Sequence, residues 1–348
     1  MIRADAGLAF MLQYENVAWY ENGKVRILDR RIYPLRTEYV TCETHEEVAQ
    51  AIADMVTQSA GPYTAAAMGM ALAVYEAVHK RPIDIIEYMT KAAYTLSHAR
   101  PTTADKMQSI TNGALAVIEQ SLEYGKSDNE MIDAVFNYAL NYINNNYIKY
   151  TSVGKYLADK IPYNGTFMTQ CFAETVIGTT LRHCQSAGSH VKMICPETRP
   201  YFQGARLTAS VGFDMGFDVT VITDNMPAYV MQQKHVDLFT SASDVITMDG
   251  HIINKVGTFQ IALAAAYHGI PYYVTGTPSP THPNITSVKI EERNPDDVLY
   301  AMNTKVTMDG VKGYYPAFDI TPPKLCDGVI TDKGIFAPLD LKAYFDKN

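Results

Sequence analysis

Cys171 closes the run Gly165-Thr166-Phe167-Met168-Thr169-Gln170-Cys171, where a hydrophobic strand gives way to Phe172-Ala173-Glu174-Thr175 and a helical stretch. In open α/β sheets, ligands gather at the carboxyl ends of parallel strands, where N–H groups of the next helix face a crevice. A thiol there can move a proton or act as a nucleophile if its pKa is lowered; otherwise a single Cys packs as a small apolar group. A second cluster, Glu197 to Arg206, combines a helix start, the amide of Gln203 and the guanidiniums of Arg199 and Arg206. That set suits an anion, and structural ion pairs of the two arginines are the competing reading. Asp244, in Ser241-Ala242-Ser243-Asp244, is either a helix cap or a general acid/base. Asn254-Lys255 stands at the start of a predicted helix, where a cation opposes the helix dipole unless an anionic ligand offsets it. If their strands are neighbours, Cys171, Asp244 and Lys255 converge on one crevice. A thiol, a carboxylate and a cation together suit proton movement at a sugar carbon. His183, His251 and His282 lack metal-ligand spacing, so no metal site is expected.

The elements that must position these groups divide the chain in two. Residues 1–150 read as a small β-sheet plus a helical bundle. Asn22-Gly23 between alternating runs marks a hairpin, and Thr44-His45-Glu46-Glu47 has capping-box spacing ahead of Val48 and Ile52. Helical patterns then cover roughly 64–80, 83–97, 102–124 and 128–147. Residues 151–348 change rhythm, with candidate strands at 165–169, 191–195, 218–222, 236–241 and 271–275. Helices fit between them at 172–187, 201–215, 226–234 and 255–268. This alternation predicts an α/β, Rossmann-like, doubly wound parallel sheet that carries most of the site. No GxGxxG fingerprint is present, so no dinucleotide cofactor is expected.

Bulk properties narrow the partners. A chain of 348 residues favours two domains, and its 47% apolar and 19% charged residues suit a globular protein. A net charge of −8 argues against a nucleic-acid partner, while still allowing a small anionic substrate held by a few placed donors. The five cysteines are scattered without a CxxC pair, which suits reduced thiols. No signal peptide or membrane-length apolar run is visible, so a cytoplasmic location away from membranes is expected.

Longer motifs carry a family resemblance. ETRPYFQGARLTA (197–209), VITDNMPAYVM (221–231), INKVGTFQIALAAAYHGIPYYV (253–274), IEERNPDDV (290–298) and FDITPPKLCDGVITDKGIF (318–336) are joined by EVAQAIADMV (47–56) and ARPTTADKM (99–107). Together they resemble the methylthioribose-1-phosphate isomerase family, related to ribose-1,5-bisphosphate isomerases and to regulatory subunits of a translation initiation factor. The resemblance implies a catalytic Cys in a T-H-C motif, here Cys171, and a catalytic Asp in a G-A-D motif, here Asp244. Cys184 imitates the first motif but falls inside the following helix. Substrate contacts fall on Arg100, Gln203, Asn254 and Lys255, and the phosphate loop falls on Gln58, Ser59 and Ala60. The resemblance further implies a homodimer built through the second domain, a place in methionine salvage, and no metal or organic cofactor.

The departures are specific. The family's R-G-A-P loop becomes Thr57-Gln58-Ser59-Ala60-Gly61-Pro62 without an Arg, and G-A-D-R becomes Ala242-Ser243-Asp244-Val245. Gln170 replaces the His before the catalytic Cys, and the helix entry after Cys171 is about four residues short. A charge-assisted hydrogen bond contributes about 1.5–3 kcal/mol, so losing the loop Arg corresponds to roughly tenfold to a hundredfold in affinity for a phosphate-bearing substrate. The expected activity is aldose–ketose isomerisation of a pentose 1-phosphate resembling methylthioribose 1-phosphate to the ribulose 1-phosphate, by proton or hydride transfer. The alternatives are isomerisation of a 5-deoxypentose 1-phosphate, a pentose 1,5-bisphosphate or an unphosphorylated sugar, and a non-catalytic sensor of sugar phosphates or nucleotides.

Overall fold

The computed structural model describes residues 3–81, 84–100 and 104–346. It divides into two compact units, Met1–Ile148 and Lys149–Asn348. In the first, a short helix α1 (Tyr14–Val17) leads into an antiparallel sheet of β1 (Ala18–Glu21), β2 (Lys24–Leu28) and β3 (Tyr39–Cys42). The β1–β2 register pairs Glu21 with Lys24 around Asn22-Gly23, both at positive φ, as the hairpin signal requires. Helix α2 (His45–Ala53) is capped by Thr44, whose hydroxyl accepts from the Glu47 N–H. Helix α3 (Gly61–Lys80) is buried along almost its whole length, and its alanines let neighbours pack closely from every side. Around it run α4 (Ile85–Ser97), capped by Asp84, and α5 (Ala104–Glu123). The predicted starts of these two helices at 83 and 102–103, and the Pro-Thr-Thr of the 99–107 motif, lie outside the described residues. Helix α6 (Asp128–Ala158) contains the division between the units.

The second unit is built on a seven-stranded sheet. Its strands are β4 (Thr166–Gln170), β5 (Lys192–Pro196), β6 (Asp218–Ile222), β7 (Leu238–Ala242), β10 (Tyr272–Thr275), β14 (Gly328–Thr331) and β15 (Gly334–Phe336). Their order is β15-β14-β10-β7-β4-β5-β6, parallel throughout except for the antiparallel edge strand β15. Helices α7 (Thr175–Ser186), α8 (Ala209–Asp214), α9 (Pro227–Gln233) and α10 (Thr258–Tyr267) alternate with the strands, and α11 (Ala343–Asp346) ends the described chain. Met168, Ile194, Phe239, Val274 and Val329 fill a core between sheet and helices. From β4 the chain steps outward through β5 to β6, then returns to lay β7 on the other side of β4. The strand order therefore reverses between β4 and β7, and that reversal opens a crevice at their carboxyl ends.

Three further strands make a second, antiparallel sheet that was not expected from the sequence. It runs β13 (Phe318–Thr321), β9 (Ile252–Lys255), β8 (Val245–Ile246). A small hairpin of β11 (Tyr300–Ala301) and β12 (Thr304–Lys305) precedes β13. Asn254 and Lys255 thus end a strand instead of opening a helix. Gly257, at φ 105, breaks the strand, and α10 begins only at Thr258. Lys255 sits under no helix-dipole penalty, which removes one reason for expecting an anion there. Among the described residues, no helix is long and apolar enough to cross a membrane.

Candidate active site

Cys171 follows β4 directly, and Asp244 stands two residues beyond the end of β7. The register between the strands sets Gln170 opposite Ser241, so the two residues leave neighbouring strands at one end of the sheet. Cys171 is the one cysteine of the five that keeps part of its surface exposed. Its backbone is left-handed, at φ 60, a conformation that non-glycine residues rarely adopt. Burial pushes its thiol up to about 11; Lys255 and Arg293 pull against that shift, and Asp244 adds to it. The four groups therefore share one electrostatic environment, and the thiol keeps its proton near neutral pH. Such a thiol serves as a proton carrier better than as a standing nucleophile.

Asp244 caps no helix. It lies in the link between β7 and β8, exposed, with its N–H donating to the Ile253 carbonyl at 2.9 Å. That bond fixes it beside β9, one residue from Asn254. Both Asn254 and Lys255 are buried. Asn254 Nδ2 donates to Thr258 Oγ1 at 3.0 Å. Lys255 Nζ donates to the Tyr315 hydroxyl at 3.1 Å and lies 5.2 to 5.9 Å from the ring centroids of Phe318, Tyr315 and Tyr201. Three π-faces thus surround the ammonium at cation–π distance. Asp319 pairs with Asn254 across β9 and β13. Burial raises its pKa from 3.8 to about 6, against N–H bonds from Gly257 and Phe259 and the field of Lys255.

The 197–206 segment forms another wall of the crevice. Gln203 is buried, and its Oε1 has no hydrogen-bond partner among the described residues. A buried carbonyl oxygen left without a donor is costly, and a ligand hydroxyl would relieve it. Next to it, a Cβ at Gly204 would lie 1.8 Å from the Pro196 carbonyl oxygen, so only glycine lets the turn come this close to β5. Arg206 donates to the Tyr201 carbonyl, and Arg199 to the carbonyls of Pro200 and Val298. These bonds commit donors of both guanidiniums to backbone carbonyls.

The remaining expected contacts belong to the first unit. Gln58 is buried, with Oε1 lacking a described partner; Ser59 is exposed at φ 59; Ala60 precedes α3. The Arg missing from this loop has a neighbour in kind: the fully buried Arg30 donates from Nη1 to the Gln58 carbonyl at 2.9 Å. Arg100 follows α4 and is partly buried.

The chain's relatives agree on one lineage. Residues 57–338 match the model of the initiation factor 2 subunit family. The chain belongs to that family. Within it, the chain is 35% identical to a methylthioribose-1-phosphate isomerase of Carboxydothermus hydrogenoformans, covering 93% of this chain and 96% of that one. The crystal structure of 5-methylthioribose 1-phosphate isomerase from Pyrococcus horikoshii superposes with a TM-score of 0.84 at 29% identity, covering 97% of this chain and 99% of that one. A second family member of similar fold is the translation initiation factor eIF-2B, subunit delta, from A. fulgidus. It gives a TM-score of 0.80 at 28% identity over 93% of this chain and 96% of that one. Sequence reasoning missed several residues of this family member's crevice: Thr198, Tyr201, Thr208, Arg293, Tyr315 and Asp319. Arg293 and Asp319 sit inside motifs that were visible, but nothing in their spacing marks them as neighbours of Lys255.

Proposed function

We propose that the protein is an aldose–ketose isomerase that converts a pentose 1-phosphate of the methylthioribose 1-phosphate type to the ribulose 1-phosphate. The observation that carries this reading is the meeting of a protonated thiol, Cys171, and a carboxylate, Asp244, at the ends of adjacent strands, within the field of Lys255. An anomeric phosphate locks the sugar ring, so opening it needs a proton at the ring oxygen. Asp244 gives its carboxyl proton to the ring oxygen, where it stays as a hydroxyl of the product, and the resulting carboxylate regains a proton from carbon 2 of the opened sugar. The Cys171 thiol protonates carbon 1, and its thiolate is reprotonated by the carbon-2 hydroxyl as the ketone forms. Lys255 and Asn254 hold hydroxyl or phosphate oxygens, and Gln203 receives a sugar hydroxyl on its Oε1, which has no partner among the described residues.

Relatives with isomerase names along nearly the whole chain support this reading. A homodimer through the second unit, a cytoplasmic location and a role in methionine salvage are part of the same proposal. The loop at 57–62 without an Arg favours a second reading, in which the carbon-5 substituent or the phosphorylation of the sugar differs. Proton and phosphorus NMR of the protein with methylthioribose 1-phosphate, its 5-deoxy and 5-phospho analogues and the free sugars tests both, with Asp244→Asn as control. Conversion of one sugar to its ketose by the wild type alone establishes the isomerase and names the substrate. Saturable binding without conversion would instead place the chain with the non-catalytic members of its family.

A further inference from the structure

Two threonine hydroxyls hold both backbone polar groups of Cys171. Its N–H donates to Thr198 Oγ1 at 3.2 Å, and its carbonyl accepts from Thr208 Oγ1. Both threonines are buried and come from separate segments. Thr198 follows β5 and is itself left-handed, at φ 62, while Thr208 ends the π-helical turn Gly204–Thr208. Thr198 is anchored in turn: its N–H donates to Asp224 Oδ1 at 2.8 Å, and its hydroxyl lies 3.2 Å from the Pro196 carbonyl. The same hydroxyl reaches Gln170 Oε1 at 3.5 Å, and Gln170 Nε2 donates to the carbonyl of Val256, the residue after Lys255.

At positive φ the N–H and carbonyl of Cys171 turn away from the directions used by the β4 ladder, so they need partners off the sheet. Without them the residue would relax to an extended or right-handed conformation. That change redirects the Cα–Cβ bond and carries the sulfur away from its present neighbours. We propose that Thr198 and Thr208 are positioning residues that lock Cys171 in its left-handed conformation and so hold the thiol beside Asp244 and Lys255. The turnover readout of this inference rests on the isomerase reading; the thiol readout does not.

Thr198→Val and Thr208→Val remove each hydroxyl at nearly constant shape, whereas Thr198→Ser and Thr208→Ser keep it. The rate of iodoacetamide alkylation of Cys171 is followed by mass spectrometry from about pH 6 to about 11.5, past its raised pKa, a clean readout because the other four cysteines are buried. In parallel, kcat and KM are measured on the sugar 1-phosphate that the wild type converts. Each Val variant is expected to lower kcat about tenfold to a hundredfold with KM within about threefold, the usual consequence of misplacing a reacting group by an ångström. Alkylation at pH 8 is expected to rise at least about fivefold, with its pH midpoint moving down toward that of an ordinary thiol. The Ser variants should follow the wild type in every measurement. Val variants with the wild-type alkylation rate and midpoint would overturn the proposal, as would Ser variants shifted as far as Val. Should the wild type convert no sugar phosphate, a midpoint shifted in Val but not in Ser would still uphold the lock and defeat only the isomerase reading. If the valines prevent folding, Thr208→Ala relieves any crowding and reports the same midpoint.

Discussion

Glu76 in the first unit and Asp319 in the second are both carboxylates drawn out of water, and their protons are held in opposite ways. Burial pushes Glu76 upward, but hydrogen bonds from His45 and Lys80 outweigh it and bring its pKa from 4.5 to about 2. Its oxygens receive the His45 N–H at 2.7 Å, the Lys80 ammonium at 2.8 Å and the Tyr88 hydroxyl at 2.9 Å. Among the described residues Asp319 receives only backbone N–H groups, and there burial wins, at about 6. Around Glu76 every polar group is answered, which is how a structural network behaves. The same unit holds a thiol at positive φ, an amide oxygen without a donor among the described residues and, in the field acting on Asp319, an ammonium among aromatic rings. Departures from ideal satisfaction that gather at one sheet end mark a site kept ready for a ligand.

The largest effect is expected from breaking the site itself. Cys171→Ser and Asp244→Asn should each lower turnover by about 10²–10⁴, the range for loss of a positioned acid or base. Urea unfolding should move by no more than about 0.5 kcal/mol in Asp244→Asn, because that side chain is exposed. Full turnover in either variant would remove that residue from the proposed mechanism. Glu76→Ala inverts the pattern. It should cost roughly 2–4 kcal/mol of stability by stranding the His45 and Lys80 donors, while kcat per folded molecule stays at the wild-type value. A fall in kcat comparable to that of Asp244→Asn would erase the contrast between the two regions.

The pH dependence sharpens it. Asp319 binds its proton more tightly folded than unfolded, so its contribution to stability is full below about pH 4 and is lost as pH rises through 6. Glu76 binds its proton less tightly folded, so its contribution is present above about pH 4.5 and is lost as pH falls toward 2. With its pKa raised from 3.8 to about 6, the Asp319 contribution amounts to roughly 3 kcal/mol. Asp319→Asn should therefore gain stability relative to wild type between pH 4.5 and 6.5, measured as the difference in urea midpoints at the two values. A constant difference would mean that Asp319 titrates normally in the folded protein.

How much of this could be read from the residues depends on the range of the interaction. The strands leading to Cys171 and Asp244 are local patterns, β-branched and apolar runs punctuated by helices, and their order of appearance already implied a doubly wound sheet. The sheet β8-β9-β13 is not local. Ile252 to Lys255 flow into an apolar helical run, and only pairing with Phe318–Thr321, far along the chain, makes them a strand. Lys255 was singled out as a cation, but its rings come from two distant segments, Tyr201 and Tyr315 to Phe318, so its burial was invisible. The left-handed backbone at Cys171 left no trace either, because no glycine marks it. Thr198 and Thr208, which hold it, lie in a motif that was read for its arginines and its amide.

The smallest effect tests the comparison at its finest point, because the same pair occurs twice. In the first unit Lys80 Nζ donates to the Tyr88 hydroxyl at 3.0 Å and lies 5.4 Å from its ring; in the second, Lys255 and Tyr315 give 3.1 and 5.4 Å. Lys80 is half exposed and shares its charge with Glu76, so Tyr88→Phe should cost no more than about 1 kcal/mol of stability and leave kinetics unchanged. Lys255 is buried and faces the crevice. Tyr315→Phe keeps all three rings around the ammonium, but it frees one N–H from the orientation that the hydroxyl imposed. A loss of about threefold to tenfold in kcat/KM is expected, equivalent to roughly 1 kcal/mol, with stability changed no more than in Tyr88→Phe. Tyr315→Ala, which also removes a ring from the ammonium, should fall further. If Tyr315→Phe and Tyr88→Phe are kinetically indistinguishable, the Tyr315 hydroxyl only packs and does not orient Lys255.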